Sequence, residues 1–159
     1  MKKITTLFAS MMLFAGLTTA FTSCSDDDNN EPEIPAAKSV AGTYTGDMSC
    51  TVMGSESTFE DMTFTVTATD DATVTVKIPT FGNPPMQVPE IDIQGVNVSG
   101  SEGTYSLAST EFRGSTDAGR EYSGTVQGAF ADNTLTIRFS LQYGAMPMPM
   151  ICAFSAPKK

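Results

Sequence analysis

Apolar and polar residues alternate along most of the chain from Val40 onwards. One parity of the first segment carries Tyr44, Met48, Cys50 and Val52, whereas the other carries threonine, serine and aspartate. The same alternation returns in four later segments: Met62–Ala68, Val74–Ile78, Tyr122–Phe130 and Leu135–Tyr143. A period of two residues is the signal of a β-strand with one buried face. The pattern therefore predicts an antiparallel β-protein.

Turn residues separate these segments at intervals of about ten residues, as in a meander of hairpins. The turns fall at Gly54–Ser57, Asp70–Ala72, Asp117–Gly119 and Ala131–Asn133. We predict about eight strands and no helix after the N-terminal segment. Because closure removes exposed sheet edges, we expect an up-and-down β-barrel, with a two-sheet sandwich as the alternative. The parity shifts around Pro89 and Gly95, which predicts a bulge or bend there.

Residues 1–23 have the composition of a secretory signal peptide. Lys2 and Lys3 precede an apolar, uncharged stretch, Ile4–Phe21, and small residues follow it. A positive start, an apolar middle and a small-residue cleavage site define such signals. The alternative is a transmembrane helix, but the stretch is diluted by serine and threonine and is short for a span of roughly 20 residues.

The sequence Phe21-Thr22-Ser23-Cys24 resembles the lipobox of bacterial lipoproteins. That resemblance implies cleavage before Cys24 and acylation of this cysteine. The next residues resemble the acidic export signal of surface lipoproteins in the Bacteroidetes: Ser25, Asp26, Asp27 and Asp28. They imply a lipid-anchored protein on the outer face of the outer membrane.

A solvated linker is the alternative interpretation of the acidic run. Under either interpretation, residues 24–38 are too polar to bury much apolar surface, so we expect a flexible tether. The barrel domain is then expected over residues 39–159.

The charge of the chain disfavours anionic partners. Removing residues 1–23 deletes two lysines and no acid, which takes the formal net charge from −9 to −11. An acidic protein of this kind is a poor partner for nucleic acid or for an anionic membrane surface. The membrane contact that we expect is the lipid anchor alone.

Two cysteines remain if Cys24 is acylated. Cys50 lies on the first predicted strand of the domain and Cys152 on the last, and both share the apolar face. Barrel closure makes these strands neighbours, with Cβ atoms about 4.5–5.5 Å apart, near the reach of a disulfide. In an oxidising compartment Cys50 and Cys152 are therefore a candidate disulfide, and two buried free thiols are the alternative.

The sequence shows no convincing set of catalytic residues or metal ligands. The chain has no histidine, so it lacks a Ser-His or Cys-His nucleophile pair. The adjacent pairs Glu60-Asp61 and Asp70-Asp71 have the pattern of solvated edges. Met146, Met148 and Met150 could present thioethers to copper(I) from one strand face, but adaptable apolar filling is the simpler interpretation. We expect no enzyme activity, no cofactor and no metal site.

Four stretches carry a family resemblance: "VAGTYTGDMSCTVMGSES", "VTVKIPTF", "EYSGTVQGAF" and "LTIRFSLQYGAMPM". Together they resemble the calycin-like domain of Bacteroides-type lipoproteins over nearly all of residues 40–156. The resemblance implies an eight-stranded, lipocalin-related barrel and no particular chemistry. Gly42-Thr43-Tyr44 takes the place of the lipocalin Gly-x-Trp signature, with tyrosine for tryptophan.

Aromatic residues on the inward parity are candidates for lining the barrel: Tyr44, Phe64, Tyr105, Phe112, Tyr122 and Phe139. They could fill a core, or they could surround a cavity kept open by inward glycines such as Gly114 and Gly124. We expect a non-enzymatic, lipid-anchored envelope protein that could bind a small apolar or amphipathic ligand in its barrel. The alternative is a structural or interaction module of a surface complex, whose protein partner the sequence does not indicate.

Overall fold

A computed structural model describes residues 34–159, which form a closed antiparallel barrel. Its elements are α1 (Ala36–Val40), β1 (Gly42–Val52), β2 (Ser55–Ala68), β3 (Thr73–Ile78), β4 (Ile91–Ser101), β5 (Thr104–Ser115), β6 (Glu121–Ala131), β7 (Thr134–Tyr143) and β8 (Met150–Pro157). Each strand pairs with the next, and β8 pairs with β1. The predicted eight-stranded barrel is confirmed, and the sandwich is excluded. Within residues 34–159, no helix has the length and apolarity needed to span a bilayer.

Side chains fill the interior of the barrel. The apolar parity of β7 is wholly buried, as its pattern predicts: Leu135, Ile137, Phe139, Leu141 and Tyr143. At the centre, the ring of Phe64 stacks on that of Phe154 with 4.0 Å between centroids. Among residues 34–159, every buried side chain is apolar except for the hydroxyl groups of tyrosines. An eight-stranded barrel is just wide enough for its own side chains to fill it, as happens here.

Helix α1 closes the end of the barrel at which β1 begins and β8 ends, which we call the plug end. The hydroxyl of Tyr44 donates a hydrogen bond of 2.5 Å to the carbonyl of Val40. Lys158 Nζ donates to the carbonyl of Ser39 at 2.9 Å, and the N–H of Ala37 donates to the carbonyl of Asp71 at 3.2 Å. We call the opposite end of the barrel the open end.

The helix corrects two expectations from the sequence. We predicted no helix after the signal and a tether over residues 24–38, but residues 36–38 belong to α1. Ala37 and Val40 lie three residues apart on one side of a single turn, and both are fully buried. Two apolar positions do not make a readable helical period, so burial against the barrel rather than propensity holds this turn.

Three β-bulges interrupt the ladders. The predicted bulge is confirmed in β4, where Gln94 and Gly95 together face Thr75 and Gly95 has a φ of 72°. A second, in β2, places Glu60 and Asp61 opposite Asp47, and Asp61 has a φ of 54°. The third lies in β5 at residues 108–109. The bulge in β2 makes Phe59 and Met62 face the interior although they lie three residues apart.

The β1–β2 turn differs from its predicted position. Met53 and Gly54 form it, with φ values of 50° and 82°, as a two-residue hairpin of the I′ type requires. The expectation of a turn over Gly54–Ser57 is therefore wrong, because β2 already begins at Ser55. Residues 55–58 are exposed on both faces, so no alternation marks them as a strand.

The hydroxyl of Tyr44 gives the first testable prediction. Tyr44→Phe leaves the buried Val40 carbonyl without a partner, which should lower the free energy of unfolding by about 1–3 kcal/mol. Burial raises the pKa of Tyr44 from 10.0 to about 12. Between these two pH values the folded state retains a proton that the unfolded state releases. The contribution of the Tyr44 hydroxyl to the free energy of unfolding is therefore complete below pH 10 and is lost as the pH rises towards 12.

Urea unfolding of both proteins between pH 8 and pH 12 provides the measurement. Only the wild type carries the Tyr44 hydroxyl. The difference between the free energies of unfolding of the wild type and Tyr44→Phe should therefore decrease at alkaline pH. A difference that does not change with pH would contradict the assignment.

Candidate functional site

A cleft of about 490 Å³ lies at the open end of the barrel. Three segments border it: the β1–β2 hairpin, the β3–β4 loop (79–90) and the β7–β8 loop (144–149). Its lining is Cys50, Val52, Ser57, Thr58, Phe59, Phe81, Gly82, Asn83, Met86, Val88, Met146 and Met150. No charged side chain is among these residues. The cleft therefore offers van der Waals contact and a few neutral hydrogen-bonding groups.

The β3–β4 loop forms one wall and is held in place at three points. Phe81 and Val88 exchange two backbone hydrogen bonds, of 2.9 and 3.1 Å. The ring of Phe81 meets that of Phe59 edge-on, with 5.5 Å between centroids. Arg120 Nη1 donates to the carbonyl of Pro85 at 3.0 Å, which ties the loop to the β5–β6 turn. These contacts hold the wall in a defined position.

The β7–β8 loop forms the second wall. Gln142 Nε2 donates a hydrogen bond to the carbonyl of Met146, whose side chain is half-buried against the core. Met148 is 50% exposed and is not part of the cleft lining. Of the three methionines that we considered for copper, only Met150 lies in a strand. The interpretation in which all three share one strand face is therefore wrong.

Cys50 and Cys152 form a disulfide at the base of the cleft. The two residues lie directly opposite each other on β1 and β8, with a Cα–Cα distance of 4.1 Å. Both are almost completely buried, at 3% and 0% exposure. The bond joins the first and last strands of the barrel across a sequence separation of 102 residues.

The titratable groups with shifted pKa values lie away from the cleft. Hydrogen bonds from the Thr73 side chain and the Ala72 backbone lower the pKa of Asp70, which is in the β2–β3 turn. A hydrogen bond to Glu90 and the nearby charge of Asp92 raise the pKa of Lys77 on β3. Tyr44 lies at the plug end. Within residues 34–159, no cluster of three His, Cys, Asp or Glu residues could hold a metal ion.

The aromatic residues that we predicted to line the barrel divide into two groups. Tyr44, Phe64 and Phe139 are buried in the core, whereas Tyr105, Phe112 and Tyr122 are half-buried against it. None of the six lines the cleft.

The inward glycines do not leave the space that we considered for them. A Cβ at Gly124 would approach the Phe112 ring to 2.8 Å, and one at Gly114 would overlap the Tyr122 hydroxyl. A Cβ at Gly46 would come within 2.9 Å of that of Ala156. Neighbouring atoms, mostly of side chains, thus occupy the places of the missing side chains.

Of the residues that line the cleft, we singled out only Cys50, Met146 and Met150 from the sequence, and we considered them for other roles. Phe81, Met86 and Val88 belong to a loop with Pro84, Pro85 and Pro89, where the strand period is broken. Apolar residues in a proline-rich loop are the one signal that the sequence offers for the cleft, and the structure leaves Met86 of this loop 49% exposed. The lipidation and export residues Cys24, Ser25, Asp26, Asp27 and Asp28 lie outside the described residues, as does the whole signal segment 1–23.

Comparison with known proteins identifies the class. The model of the calycin-like beta-barrel domain matches residues 40–156, so the chain belongs to this family. Curated proteins give no match.

A solved structure from Bacteroides fragilis NCTC 9343 is similar in fold. Its name provisionally assigns it to the outer membrane. The TM-score is 0.68 at 18% identity, over 79% of this chain and 53% of that one. The chain thus spans about half the length of that protein, and the likeness concerns the fold alone.

The disulfide gives the second testable prediction. Replacing Cys50 and Cys152 together by alanine should lower the free energy of unfolding by about 4.7 kcal/mol in the chain-entropy model for a loop of about 100 residues. Reductant should shift the urea midpoint of the wild type in the same direction and leave the double variant unchanged. Thiol labelling of the unfolded, non-reduced protein checks the bond directly. Two reactive thiols at these positions would contradict it.

Proposed function

We propose that the chain is a non-enzymatic, lipid-anchored protein of the outer membrane that faces the cell exterior. We further propose that it binds a small apolar or amphipathic ligand. The ligand site is the cleft at the open end rather than the interior of the barrel, because side chains fill the interior.

The observation that carries this proposal is the uncharged, apolar cleft itself. Its volume of about 490 Å³ lies within the usual range of small-molecule sites, about 300–1,000 Å³. Phe59 and Phe81 supply flat apolar contacts, and Met86, Met146 and Met150 supply flexible ones. Methionine is common at surfaces that adapt to several ligands because its thioether chain is unbranched and polarisable. The polar atoms of Ser57 and Asn83 could orient a ligand.

The proposed address rests on the N-terminal sequence. Acylation of Cys24 would supply an anchor, and more than one acyl chain is needed for stable attachment to a bilayer. The run from Ser25 to Asp28 supports an outward orientation. The name of the Bacteroides fragilis protein of similar fold is consistent with this address.

A second candidate function is an interaction module of a surface complex. It is favoured by apolar side chains that are exposed near the open end but outside the cleft: Met53 (70%), Met148 (50%) and Ile151 (55%). Exposed apolar patches on soluble domains often mark contact surfaces. Native mass spectrometry of the purified protein separates the two candidates, because a co-purifying small molecule favours the first and a persistently empty protein favours the second.

The anchor gives the third testable prediction. Cys24→Ala removes the only thiol that can be acylated at the lipobox, so the variant should remain unprocessed or be released from membranes. Fractionation of cells that express each version provides the measurement. A variant that sediments with the outer membrane like the wild type would refute the anchor.

The orientation is checked in the same cells. Protease added to intact cells should remove the wild-type barrel. Replacement of Asp26, Asp27 and Asp28 by alanine should protect it while membrane attachment remains. Equal protection of the two versions from protease would refute the proposal that these aspartates direct the protein to the outer face of the membrane.

The cleft gives the fourth testable prediction. Met86→Glu places a charge among apolar cleft residues, and desolvating this charge should oppose ligand binding. We expect the affinity for the neutral apolar dye Nile red to fall by about tenfold, which corresponds to about 1.4 kcal/mol. Fluorescence titration of the purified protein measures it.

Met148→Glu is the matched control, because Met148 is equally exposed, at 50% against 49%, and lies outside the cleft lining. It should bind the dye as the wild type does. Equal loss in both variants would indicate a general effect of charge. Absence of dye binding by the wild type would count against the ligand site and favour the interaction module.

A further inference from the structure

One side of the cleft is a strand edge that lacks a partner among the described residues. The upper part of β2, Ser55–Met62, pairs with β1 on one side only. Its other neighbour, β3, pairs with β2 only over Thr65–Ala68. No backbone hydrogen bond joins Ser55–Met62 to the β3–β4 loop, in which Phe81 and Val88 pair with each other instead.

The disulfide reveals which backbone groups of β2 point to this edge. Opposed residues in an antiparallel ladder alternate between hydrogen-bonded pairs, with Cα atoms about 5.5 Å apart, and non-hydrogen-bonded pairs, about 4.5 Å apart. Cys50 and Cys152 are opposed at 4.1 Å and so form a non-hydrogen-bonded pair. The N–H and C=O of Cys50 therefore point away from β8 and towards Ser57 on β2.

Since Ser57 is hydrogen-bonded to Cys50, its neighbours Glu56 and Thr58 direct their N–H and C=O groups to the unpaired edge. The β1–β2 turn independently predicts the same alternation of hydrogen-bonded and non-hydrogen-bonded pairs. A two-residue hairpin makes its flanking pair, Val52 and Ser55, hydrogen-bonded, and Cys50 and Ser57 lie two positions further along.

The side chains beside this edge have the alternation that an added strand would meet. Ser57 and Phe59 lie on the inward parity of β2, opposite Cys50 and Met48, whereas Glu56 and Thr58 lie on the other parity, with Thr58 at the border of the cleft. Across the cleft stand Phe81, Met86 and Val88. A strand laid along β2 would thus place every second side chain among apolar groups and the others in solvent.

We propose that the cleft binds an extended polypeptide segment that adds a strand to β2 at Glu56 and Thr58. This inference rests on the proposed ligand-binding function and names the class of ligand. Main-chain hydrogen bonds provide affinity in this mode, and pockets for alternate side chains provide specificity. The cleft-facing residues of the segment are apolar.

Charge selects the solvent-facing residues of the segment. The exposed side of the hairpin carries Glu56, Glu60 and Asp61 and no basic residue between Ser55 and Met62. These acids disfavour an acidic segment and complement a neutral or basic one. Charged residues and a bulge also hinder pairing between two copies of an edge strand, so the edge is better suited to a foreign segment than to a second copy of this chain.

The experiment uses three acetylated and amidated host peptides in which lysine alternates with valine, leucine or phenylalanine. At least one should displace Nile red from the purified protein and should bind Met86→Glu more weakly than Met148→Glu. If none binds at millimolar concentration while Nile red still binds, the strand-addition inference is overturned and the proposed ligand site stands. If neither peptide nor dye binds, the ligand site fails as well.

N-methylated peptides test the backbone pairing itself. Two versions of the best peptide carry N-methyl groups on alternate residues of one parity or of the other. Only one parity faces β2, so one version should lose affinity by about tenfold or more and the other should be little changed. Equal affinities of the two versions would overturn strand addition, because side-chain contacts alone do not distinguish them.

A protein variant completes the test. Thr58→Pro removes an N–H that bonds to no other described residue, so the thermal midpoint should stay close to that of the wild type while peptide affinity falls about tenfold. Unchanged peptide affinity in the folded variant would overturn the inference. Sedimentation of the free wild type over a concentration series detects a second copy at the edge, and a dimer that Thr58→Pro dissociates would replace the peptide as the occupant.

Discussion

The pairing of β1 with β8 is the constraint on which the rest of the structure depends. Without it, the meander would be an open sheet with two unprotected edges and an apolar face in water. The ladder that closes it is short: Met48–Thr51 opposite Ile151–Phe154. The disulfide lies within this ladder and makes the closure covalent. Because the sheet closes, the apolar parity of each strand faces the interior of the barrel and forms the buried core.

Closure also determines where a ligand site can lie. An eight-stranded barrel has little room beyond its own side chains, and here Phe112 and Tyr122 take up the space beside Gly124 and Gly114. Helix α1 and Lys158 cover the plug end. The cleft instead lies at the open end, where β3 is short and the β3–β4 loop packs on Phe59 of β2 without a backbone hydrogen bond to that strand. The short third strand creates both the cleft and the unpaired edge beside it.

The sequence predicts the features of this fold that follow a period. The alternation of Leu135, Ile137 and Phe139 predicts a buried strand face. The parity shift at Gly95 predicts a bulge. The period fails for Ser55–Thr58, which is exposed on both faces, and for α1, which has only Ala37 and Val40 to bury. The position of the cleft could not be predicted, because it depends on how the β3–β4 loop packs on Phe59. That contact joins distant residues without leaving a pattern in the chain.

The position of the start of β1 beside the end of β8 determines how the barrel responds to a pulling force. β1 begins and β8 ends at the plug end, and the two strands are neighbours. A pulling force applied through those two points would peel the strands apart one hydrogen-bonded pair at a time, which is the geometry in which β-ladders resist load least. The peeling would stop at Cys50 and Cys152, because a covalent bond replaces the next pair. From that point the load would pass from β1 to β8 through the disulfide, so the rest of the barrel, including the cleft, would carry no tension and stay closed.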